Sequence, residues 1–358
     1  MKVLVIGFDH LISKLTKSYE PFLKHGFEPI YYKLSQSEDY LSHSLFNRLK
    51  NRVIQTTLLK LILCLAWIKK SDIHHVEVYF DSSLAALLVT ITCRLRGIPV
   101  VAVCRGTEIR CIDSHRWLRK ASIINTLKLC NYILAKERYM PTKIESFGVL
   151  RHKIRSINNV LPIDFEYQRN LFNPNVQEII YINSVRKMRY VKETVAAFCE
   201  ASKDYPKARL TIVGVANDGG FSPEQAYESE IRNYITAHDM ENRVTLKPFS
   251  NNPWENIVAS AFILHADVIW LNNSLLEAAG YGIPLILSDV DGAEVFEKGA
   301  LITPLGNVEQ LSNAMVSVFS DPERLKEYSM SLSQLVNNRF KFETFESSQL
   351  SFYNSLGK

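Results

Sequence analysis

Residues 266–294 constrain the fold more than any other part of this 358-residue chain. The continuous apolar run at 268–271 predicts a strand of a parallel sheet that is covered on both faces. Residues 272–274 are typical of a helix start, and the short, Ala-rich stretch 275–281 favours a helix. A Gly-x-Pro break ends that helix, and the apolar run 285–287 restarts a strand. The segment therefore predicts a βαβ unit, whose helix start is suited to holding a phosphate.

Strand and helix patterns alternate along the rest of the chain in two series. Apolar runs predict strands at 3–6, 27–32, 76–80, 100–104, 132–135, 178–183, 209–213 and 243–246. Helical patterns between or after them lie at 83–95, 191–202, 224–238, 322–336 and 342–356. Such alternation indicates an α/β protein with parallel sheets: two Rossmann-like domains facing each other across a cleft. We expect an N-terminal domain at 1–165, a C-terminal domain at 166–340, and a last helix at 341–358 that packs back on the first domain.

Composition excludes several classes of protein. The chain is 47% hydrophobic and 22% charged, which is typical of a globular protein and not of a disordered one. Its six cysteines form no C-x-x-C pair, and the apolar start of the chain is too short for an export signal. We therefore expect reduced thiols and a cytoplasmic location.

The charges are unevenly distributed between the two predicted domains. Residues 1–165 hold 25 Lys and Arg against 13 Asp and Glu, whereas residues 166–358 hold 17 against 24. A basic first domain favours an anionic partner, although a solvated basic face explains the charge equally well. Segment 45–70 holds an apolar stretch with basic flanks. It predicts either an interfacial helix on anionic lipid or an ordinary core helix.

The predicted βαβ unit carries a family signature. Glu277, Ala278, Gly282 and Pro284 form the run E-A-A-G-Y-G-I-P. This run resembles the donor-binding region of glycosyltransferase family 4, retaining enzymes of the GT-B fold, in which the acid binds the ribose of the donor nucleotide. A second Glu usually precedes it by eight positions. Here that position is Ile269, inside the predicted strand, and the turn before the helix reads as shorter than usual.

The resemblance also assigns residues to the donor diphosphate. Counting along the segment after the strand at 178–183 places the family's Lys on Arg189 and its Arg on Ser184, with Arg186 close by. Arginine suits a diphosphate because its planar fork of donors matches phosphate oxygens. A basic surface turn is the alternative explanation for these residues.

Other residues complete the predicted donor site. Ser274, Leu275 and Leu276 open the helix that would face the phosphates, Gly214 ends a strand at the cleft, and Phe249 follows the strand near the nucleobase. Glu277 has a structural alternative, because Ser274-x-x-Glu277 is a capping box.

The first domain supplies the remaining candidates. The turn after the first strand, beginning at Gly7, lacks the G-x-G-x-x-G pattern, which argues against a dinucleotide dehydrogenase. In the family this loop approaches the donor sugar, so Gly7 is assigned to the donor and His10 to catalysis. Arg105 stands where the family commonly has a His facing the sugar. Glu108 could accept a hydrogen bond from the attacking hydroxyl, or the two could form a surface ion pair.

The resemblance implies a metal-free glycosyltransferase of polysaccharide or glycoconjugate biosynthesis. Its partners would be a nucleotide-diphosphate sugar and a glycan or lipid-linked acceptor, at the inner face of the plasma membrane, and not nucleic acid. Histidines with the spacing of metal ligands are absent from the sequence. Two alternatives stay open: a non-catalytic subunit of the same fold that binds a partner enzyme, and a sugar-nucleotide epimerase.

Overall fold

The chain divides into two compact units. The structure is a computed structural model that describes residues 2–7, 20–34, 53–56, 58–67, 73–136, 138–157, 159–161, 165–167, 169–216, 224–250, 252–269 and 272–356. Unit 1 comprises Met1–Asn158 and Phe345–Lys358, and unit 2 comprises Asn159–Thr344.

Unit 1 is built on a parallel sheet of seven strands in the order β3-β2-β1-β4-β5-β6-β7. The strands are β1 Lys2–Gly7, β2 Glu28–Leu34, β3 Val53–Thr56, β4 His75–Tyr79, β5 Val100–Cys104, β6 Tyr132–Ala135 and β7 Ile154–Ser156. The helices are α1 Leu58–Trp67, α2 Ser83–Leu95, α3 Thr107–Arg110, α4 Trp117–Leu129, α5 Met140–Glu145 and α11 Phe342–Ser355. Alternate strand residues point to opposite faces, so that Leu4 and Val3 enter different buried clusters.

Helix α11 follows unit 2 in the chain, and its residues from Phe345 onward pack in unit 1. Tyr353 is fully buried and stacks on His75, with the ring centroids 4.9 Å apart. Its hydroxyl donates a hydrogen bond to Oε1 of Glu77 at 2.5 Å, and Tyr79 donates to Oε2 of the same carboxylate at 3.3 Å. A buried carboxylate is costly unless such donors satisfy it, so α11 completes the inner packing of unit 1.

Unit 2 contains a parallel sheet of six strands in the order β10-β9-β8-β11-β12-β13. The strands are β8 Glu178–Ile182, β9 Arg209–Val215, β10 Val244–Pro248, β11 Ala261–Leu264, β12 Leu285–Ser288 and β13 Ala300–Thr303. The helices are α6 Val191–Ala201, α7 Gln225–Ala237, α8 Asn273–Gly280, α9 Val308–Ser320 and α10 Pro322–Arg339.

The strand predicted at 268–271 is wrong. The strand before α8 is Ala261–Leu264, and its side chains are fully buried. This strand pairs with β8 and β12. Residues 265–269 follow it as irregular backbone, and residues 270 and 271 lie outside the described part of the chain. The connection into α8 is therefore longer than the short turn that the sequence indicated.

The predicted single helix over segment 45–70 is also wrong. Within its described residues the segment forms strand β3, which pairs with β2, and the separate ten-residue helix α1. Leu61 and Leu65 of α1 are fully buried, which is the behaviour of a core helix. Among the helices of the described residues, none is long and apolar enough to cross a membrane.

Candidate functional site

Helix α8 begins at a different cap from the predicted one. Its N-cap is Asn272, whose side-chain oxygen accepts the N–H of Ser274 at 3.0 Å. Ser274 is thus inside the helix, and the predicted capping box between Ser274 and Glu277 is wrong. Leu275 and Leu276 are fully buried in the core of unit 2. Of these two residues, only the backbone can serve a ligand, through the amides that the first turn of a helix leaves without intrahelical partners.

The Glu277 carboxylate is held by Trp254, a residue that the sequence reading missed. The indole Nε1–H of Trp254 donates to Oε2 of Glu277 at 2.6 Å. Trp254 is 3% exposed, and its ring lies edge-on to Tyr281, with the centroids 5.3 Å apart. Burial raises the pKa of Glu277, and the bond from Trp254 acts in the opposite direction. Within the described residues that bond engages Oε2 alone, which leaves Oε1 as an acceptor for a ligand.

A second layer fixes Trp254. Nη2 of Arg169 donates to the backbone oxygen of Trp254 at 3.0 Å, and the same guanidinium lies 5.9 Å from the ring centre of Tyr281. The ring of Phe165 packs against Tyr281, with the two ring centroids 4.5 Å apart. Side chains locked in this way keep a binding carboxylate in one orientation.

Buried hydrogen bonds fix the loop that leads into α8. His265 is fully buried, and its Nε2 accepts the N–H of Gly306 at 2.8 Å. Burial lowers the pKa of His265 to about 4, so the ring is neutral near pH 7 and its proton lies on Nδ1. The hydroxyl of Ser288 donates to the carbonyl of Ala266 and accepts the N–H of the same residue, the latter at 3.1 Å. The loop therefore has a defined path from strand to helix.

Ile269 lies in this loop and not in a strand, which corrects the prediction. Its side chain is fully buried, with 0% of its surface accessible to solvent. The position that carries the second acid in the resembling family is therefore occupied by a packed apolar side chain. Asp267, two residues earlier, is exposed, and its N–H donates to the carbonyl of Met188 at 3.2 Å.

That last bond joins the loop to the turn carrying the two predicted arginines. The turn is a short 3-10 helix, Lys187–Arg189, and Tyr190 ends it in the left-handed region with φ 47°. Arg186 is exposed before it. Nε and Nη1 of Arg189 are buried and make no hydrogen bond to the part of the chain that the structure describes. Buried donors of a charged group that lack acceptors are unfavourable, so these two atoms need an explanation beyond packing.

Gly214 lies within β9 and not at its end. Its φ is +137°, and a Cβ added there would meet the backbone oxygen of Asn183 at 1.9 Å. The close approach of β9 to the end of β8 therefore requires glycine. Gly214 thus allows β8 and β9 to approach closely beside the Arg186–Arg189 turn.

Replacing Gly214 by Ala should lower the free energy of unfolding by about 3 kcal/mol, because strained backbone adds to a clash with backbone atoms. Gly26→Ala is the matched control: φ is +75° there, but an added Cβ meets no described atom within 4 Å. It should cost about 1 kcal/mol from the left-handed conformation alone. Urea unfolding of both variants measures the difference, and equal losses would contradict the clash.

Phe249 and Gly7 are the remaining predicted donor residues, and His10 is a predicted catalytic residue. Phe249 follows β10 and is 57% exposed, so its ring is available for stacking. Gly7 ends β1 in unit 1, where it pairs with Lys33 of β2. His10 is outside the described residues, and its assignment stays a prediction.

In unit 1 the predicted pair does not form an ion pair. The Glu108 carboxylate accepts the backbone N–H of Arg105, and the Arg105 side chain is exposed after β5. The sequence reading missed Lys136, which follows the neighbouring strand β6. The pKa of Lys136 is lowered to about 8, chiefly by burial and further by Arg105, while Glu77 and Glu108 oppose the shift. Two basic groups thus meet at the carboxyl edge of this sheet.

Comparisons with known proteins agree with this architecture. The fold is the two-domain α/β fold of the GT-B class. The solved structure of Anabaena HepE in complex with UDP has a TM-score of 0.79 at 14% identity, over 99% of this chain and 100% of that one. Sucrose-phosphate synthase from Thermosynechococcus elongatus has a TM-score of 0.77 at 13% identity, over 99% of each chain. The lipopolysaccharide outer core galactosyltransferase WaaB has a TM-score of 0.70 at 15% identity, over 99% and 100%.

The sequence itself gives one family match. Residues 163–331 match the family model of glycosyl transferases group 1. This match covers most of unit 2, including the Arg189 turn, Trp254 and α8. Together with the fold it supports a glycosyltransferase. No curated protein sequence matches the chain. In the described residues, no three His, Cys, Asp or Glu side chains are grouped so as to hold a metal ion.

Proposed function

We propose that unit 2 binds a nucleotide-diphosphate sugar and that the protein transfers the sugar to a glycan or lipid-linked acceptor. The observation that carries this proposal concerns two atoms of the half-buried Arg189, because its buried Nε and Nη1 make no hydrogen bond to the described residues. The turn that carries it is hydrogen-bonded to the loop leading into α8. A diphosphate supplies the acceptors that this guanidinium lacks.

The proposed roles follow from the chemistry of the leaving group. A nucleoside diphosphate departs readily only when its charge is neutralised, which is the proposed task of Arg189, with Arg186 and the first amides of α8 assisting. Glu277, oriented by Trp254, accepts hydrogen bonds from the ribose hydroxyls, and Phe249 stacks on the base. This arrangement needs no metal ion or other cofactor. The HepE structures hold UDP and UDP-glucose, so uridine donors are the first to test.

Retention of configuration is part of the proposal and rests on the resemblance to family 4. In such front-face transfer the departing diphosphate can itself take the proton of the acceptor hydroxyl. A protein carboxylate at position 269 is then not obligatory, which accommodates Ile269. Glu108 already accepts the Arg105 amide, so its proposed contact with the acceptor hydroxyl must use its remaining acceptor capacity.

Unit 1 is proposed to bind the acceptor. Arg105 and Lys136 follow adjacent strands and favour an acceptor with a phosphate or other anionic group. A lipid-linked glycan carries such a group beside its sugar. Glycoconjugate or polysaccharide assembly at the cytoplasmic membrane face is the setting that we propose.

A panel of nucleotide sugars tests donor binding by thermal shift. A donor that binds only the folded protein stabilises it by about 2.7 kcal/mol at 100 times its dissociation constant. We expect one nucleoside diphosphate and its sugar to raise the melting temperature by several degrees, with and without a chelator. A panel in which no uridine, guanosine or adenosine diphosphate sugar shifts the transition would contradict the proposal.

The buried Ile269 favours one alternative, a non-catalytic subunit that retains donor binding. Release of nucleoside diphosphate in the presence of acceptor separates the two, because a subunit without activity would bind the donor and release none. Interconversion of two sugar nucleotides without any acceptor would instead indicate an epimerase.

A further inference from the structure

Helix α2 of unit 1 exposes an apolar ridge. Leu84, Leu88, Ile91 and Leu95 are spaced by four, three and four residues, which places them on one side of the helix. Leu84 is 57% exposed and Leu95 is 82% exposed, while Leu88 is half-buried. The opposite side of the helix, with Ala86, Val89 and Cys93, packs in the core. Leu84 and Leu95 thus lie mostly outside the packing that the described residues of unit 1 form.

The ridge has apolar neighbours on two adjacent helices. Helix α2 packs against both α1 and α4. Helix α4 begins with Trp117 and Leu118, which are 75% and 61% exposed, and α1 exposes Leu63. We call the outward side of these three helices the α1–α2–α4 face. Several large exposed apolar side chains on adjacent helices mark an interaction site more often than a bare solvent face.

All charged residues within the three helices of the α1–α2–α4 face are basic. The three helices contain no Asp or Glu, and their basic residues include Arg94, Arg119 and Lys128, all exposed. Arg116 is the N-cap residue of α4 and makes no capping bond with its side chain. Positive side chains at a helix start oppose the helix dipole. Lys120, by contrast, is already paired with Asp113 at 2.8 Å.

We propose that the α1–α2–α4 face docks on an anionic lipid bilayer. Tryptophan prefers the boundary between headgroups and acyl chains, and leucines enter the apolar layer beneath it. Arginine beside them can extend its guanidinium to lipid phosphates while its methylene groups stay against apolar surface. Basic side chains beside exposed apolar ones match an anionic bilayer, which presents phosphate groups above an apolar layer. The surface shares α1 with segment 45–70, one possible lipid contact in the sequence, but most of its exposed apolar side chains lie on α2 and α4.

This inference deepens the proposed function by locating the lipid relative to the acceptor. Helices α2 and α4 follow β4 and β5, so both begin at the carboxyl end of the sheet, which is also where Arg105 and Lys136 lie. A lipid-linked acceptor would enter at that edge. Only this link to the acceptor rests on the proposed function. Vesicle binding is measured without any sugar nucleotide, so its failure would leave the donor-binding proposal standing.

Sedimentation with large vesicles tests the surface. We expect the protein to bind vesicles containing phosphatidylglycerol and to bind pure phosphatidylcholine vesicles much more weakly. Replacing both Trp117 and Leu118 by Ser should lower partitioning at least about tenfold, since both apolar side chains lose their contact with the bilayer. Arg116→Gln with Arg119→Gln should lower it roughly fivefold per charge and reduce its dependence on salt.

Matched controls separate the surface from general effects. Met330 is 61% exposed on α10 of unit 2, and Lys207 is exposed in the same unit, so Met330→Ser and Lys207→Gln should leave partitioning unchanged. All variants change exposed residues and should keep the wild-type melting temperature. The emission of Trp117, taken as wild type minus Trp117→Phe, should shift to the blue with phosphatidylglycerol vesicles.

Three results would overturn the proposal. One is that the wild-type protein sediments with neither kind of vesicle, and another is that the Trp117/Leu118 variant binds as the wild type does. Finally, sedimentation velocity could show a wild-type dimer that this variant converts to a monomer, which would assign the face to a second copy of the chain.

Discussion

Glu277→Gln is expected to weaken donor binding by roughly 10²–10⁴-fold while leaving the fold intact. The change removes a charged acceptor but keeps the shape of the side chain. Two hydrogen bonds to a charged group are worth about 1.5–3 kcal/mol each, which sets this range. The amide oxygen can still accept the Trp254 indole N–H that holds the native carboxylate at 2.6 Å. Calorimetric titration with the donor found in the panel measures the loss.

The pH dependence of stability provides a second test of the same variant. Burial raises the pKa of Glu277 in the folded protein, so the folded state holds this proton more tightly than the unfolded chain does. Stability from this carboxyl is therefore greatest at acid pH and declines as the pH rises through its folded pKa. Glutamine lacks that decline, so the variant should unfold at the wild-type temperature or above it near pH 7. Unchanged donor affinity with lower stability would make Glu277 a structural residue.

Donor affinity in the wild type should depend on pH through the titration of Glu277. The Glu277→Gln variant should lack this part of the pH dependence. Because the pKa of Glu277 is raised, its charge is lost at a higher pH than that of an exposed glutamate. Affinity should therefore fall on acidification earlier than an ordinary carboxylate would predict. Trp254→Phe keeps most of the packing but frees the carboxylate, and should give an intermediate loss. Glu309→Gln, exposed in the first turn of α9, is the control.

Arg189→Met should lower turnover by about 10³-fold, the upper range for removing one group that stabilises developing charge. Methionine fills much of the same space without the guanidinium, whose Nε and Nη1 have no partner among the described residues. Arg189→Lys should recover part of the loss, since a lysine provides the charge without the planar fork. Steady-state transfer kinetics measure both variants, and donor affinity provides the measurement if the protein proves to be a binding subunit.

The matched control for Arg189 is its exposed neighbour. Arg186→Met changes the same type of side chain on the same turn and should have a much smaller effect. Arg189→Met should change the melting temperature little, because the buried Nε and Nη1 of Arg189 make no hydrogen bond to the described residues. A lower melting temperature with wild-type donor affinity would show that Arg189 serves packing alone.

Much of the fold was predictable because parallel strands that are covered on both faces consist of unbroken runs of apolar residues. The strand Val100–Cys104 and the helix Ser83–Leu95 have the predicted bounds. The failure at β11 has a definite cause. Two apolar runs, 261–264 and 268–271, lie either side of a buried His265, and local periodicity cannot choose between them. The bonds of Gly306 to His265 and of Ser288 to Ala266 mark where the strand ends, and both link residues far apart in sequence.

The site was predictable only in part, for the same reason. The E-A-x-x-x-G-x-P run identified Glu277 from neighbouring letters. Trp254, 23 residues earlier, and Arg169 follow no local pattern, because their roles arise from packing between distant segments. The capping box failed because Asn272, two residues before Ser274, satisfied the first turn instead. Sequence spacing identified the groups proposed to contact a ligand, whereas the groups that orient them could be found only from the fold.

The position of α11 also affects the order in which the protein can be assembled during translation. Unit 1 receives its final residues, from Phe345 onward, only after the ribosome has made the whole of unit 2. Until then Glu77 lacks the Tyr353 hydroxyl, and His75 lacks the ring that stacks on it. Unit 2 therefore has its complete chain before unit 1 does. We expect the full packing of unit 1 to follow the synthesis of unit 2, the reverse of the usual order in which N-terminal domains fold first.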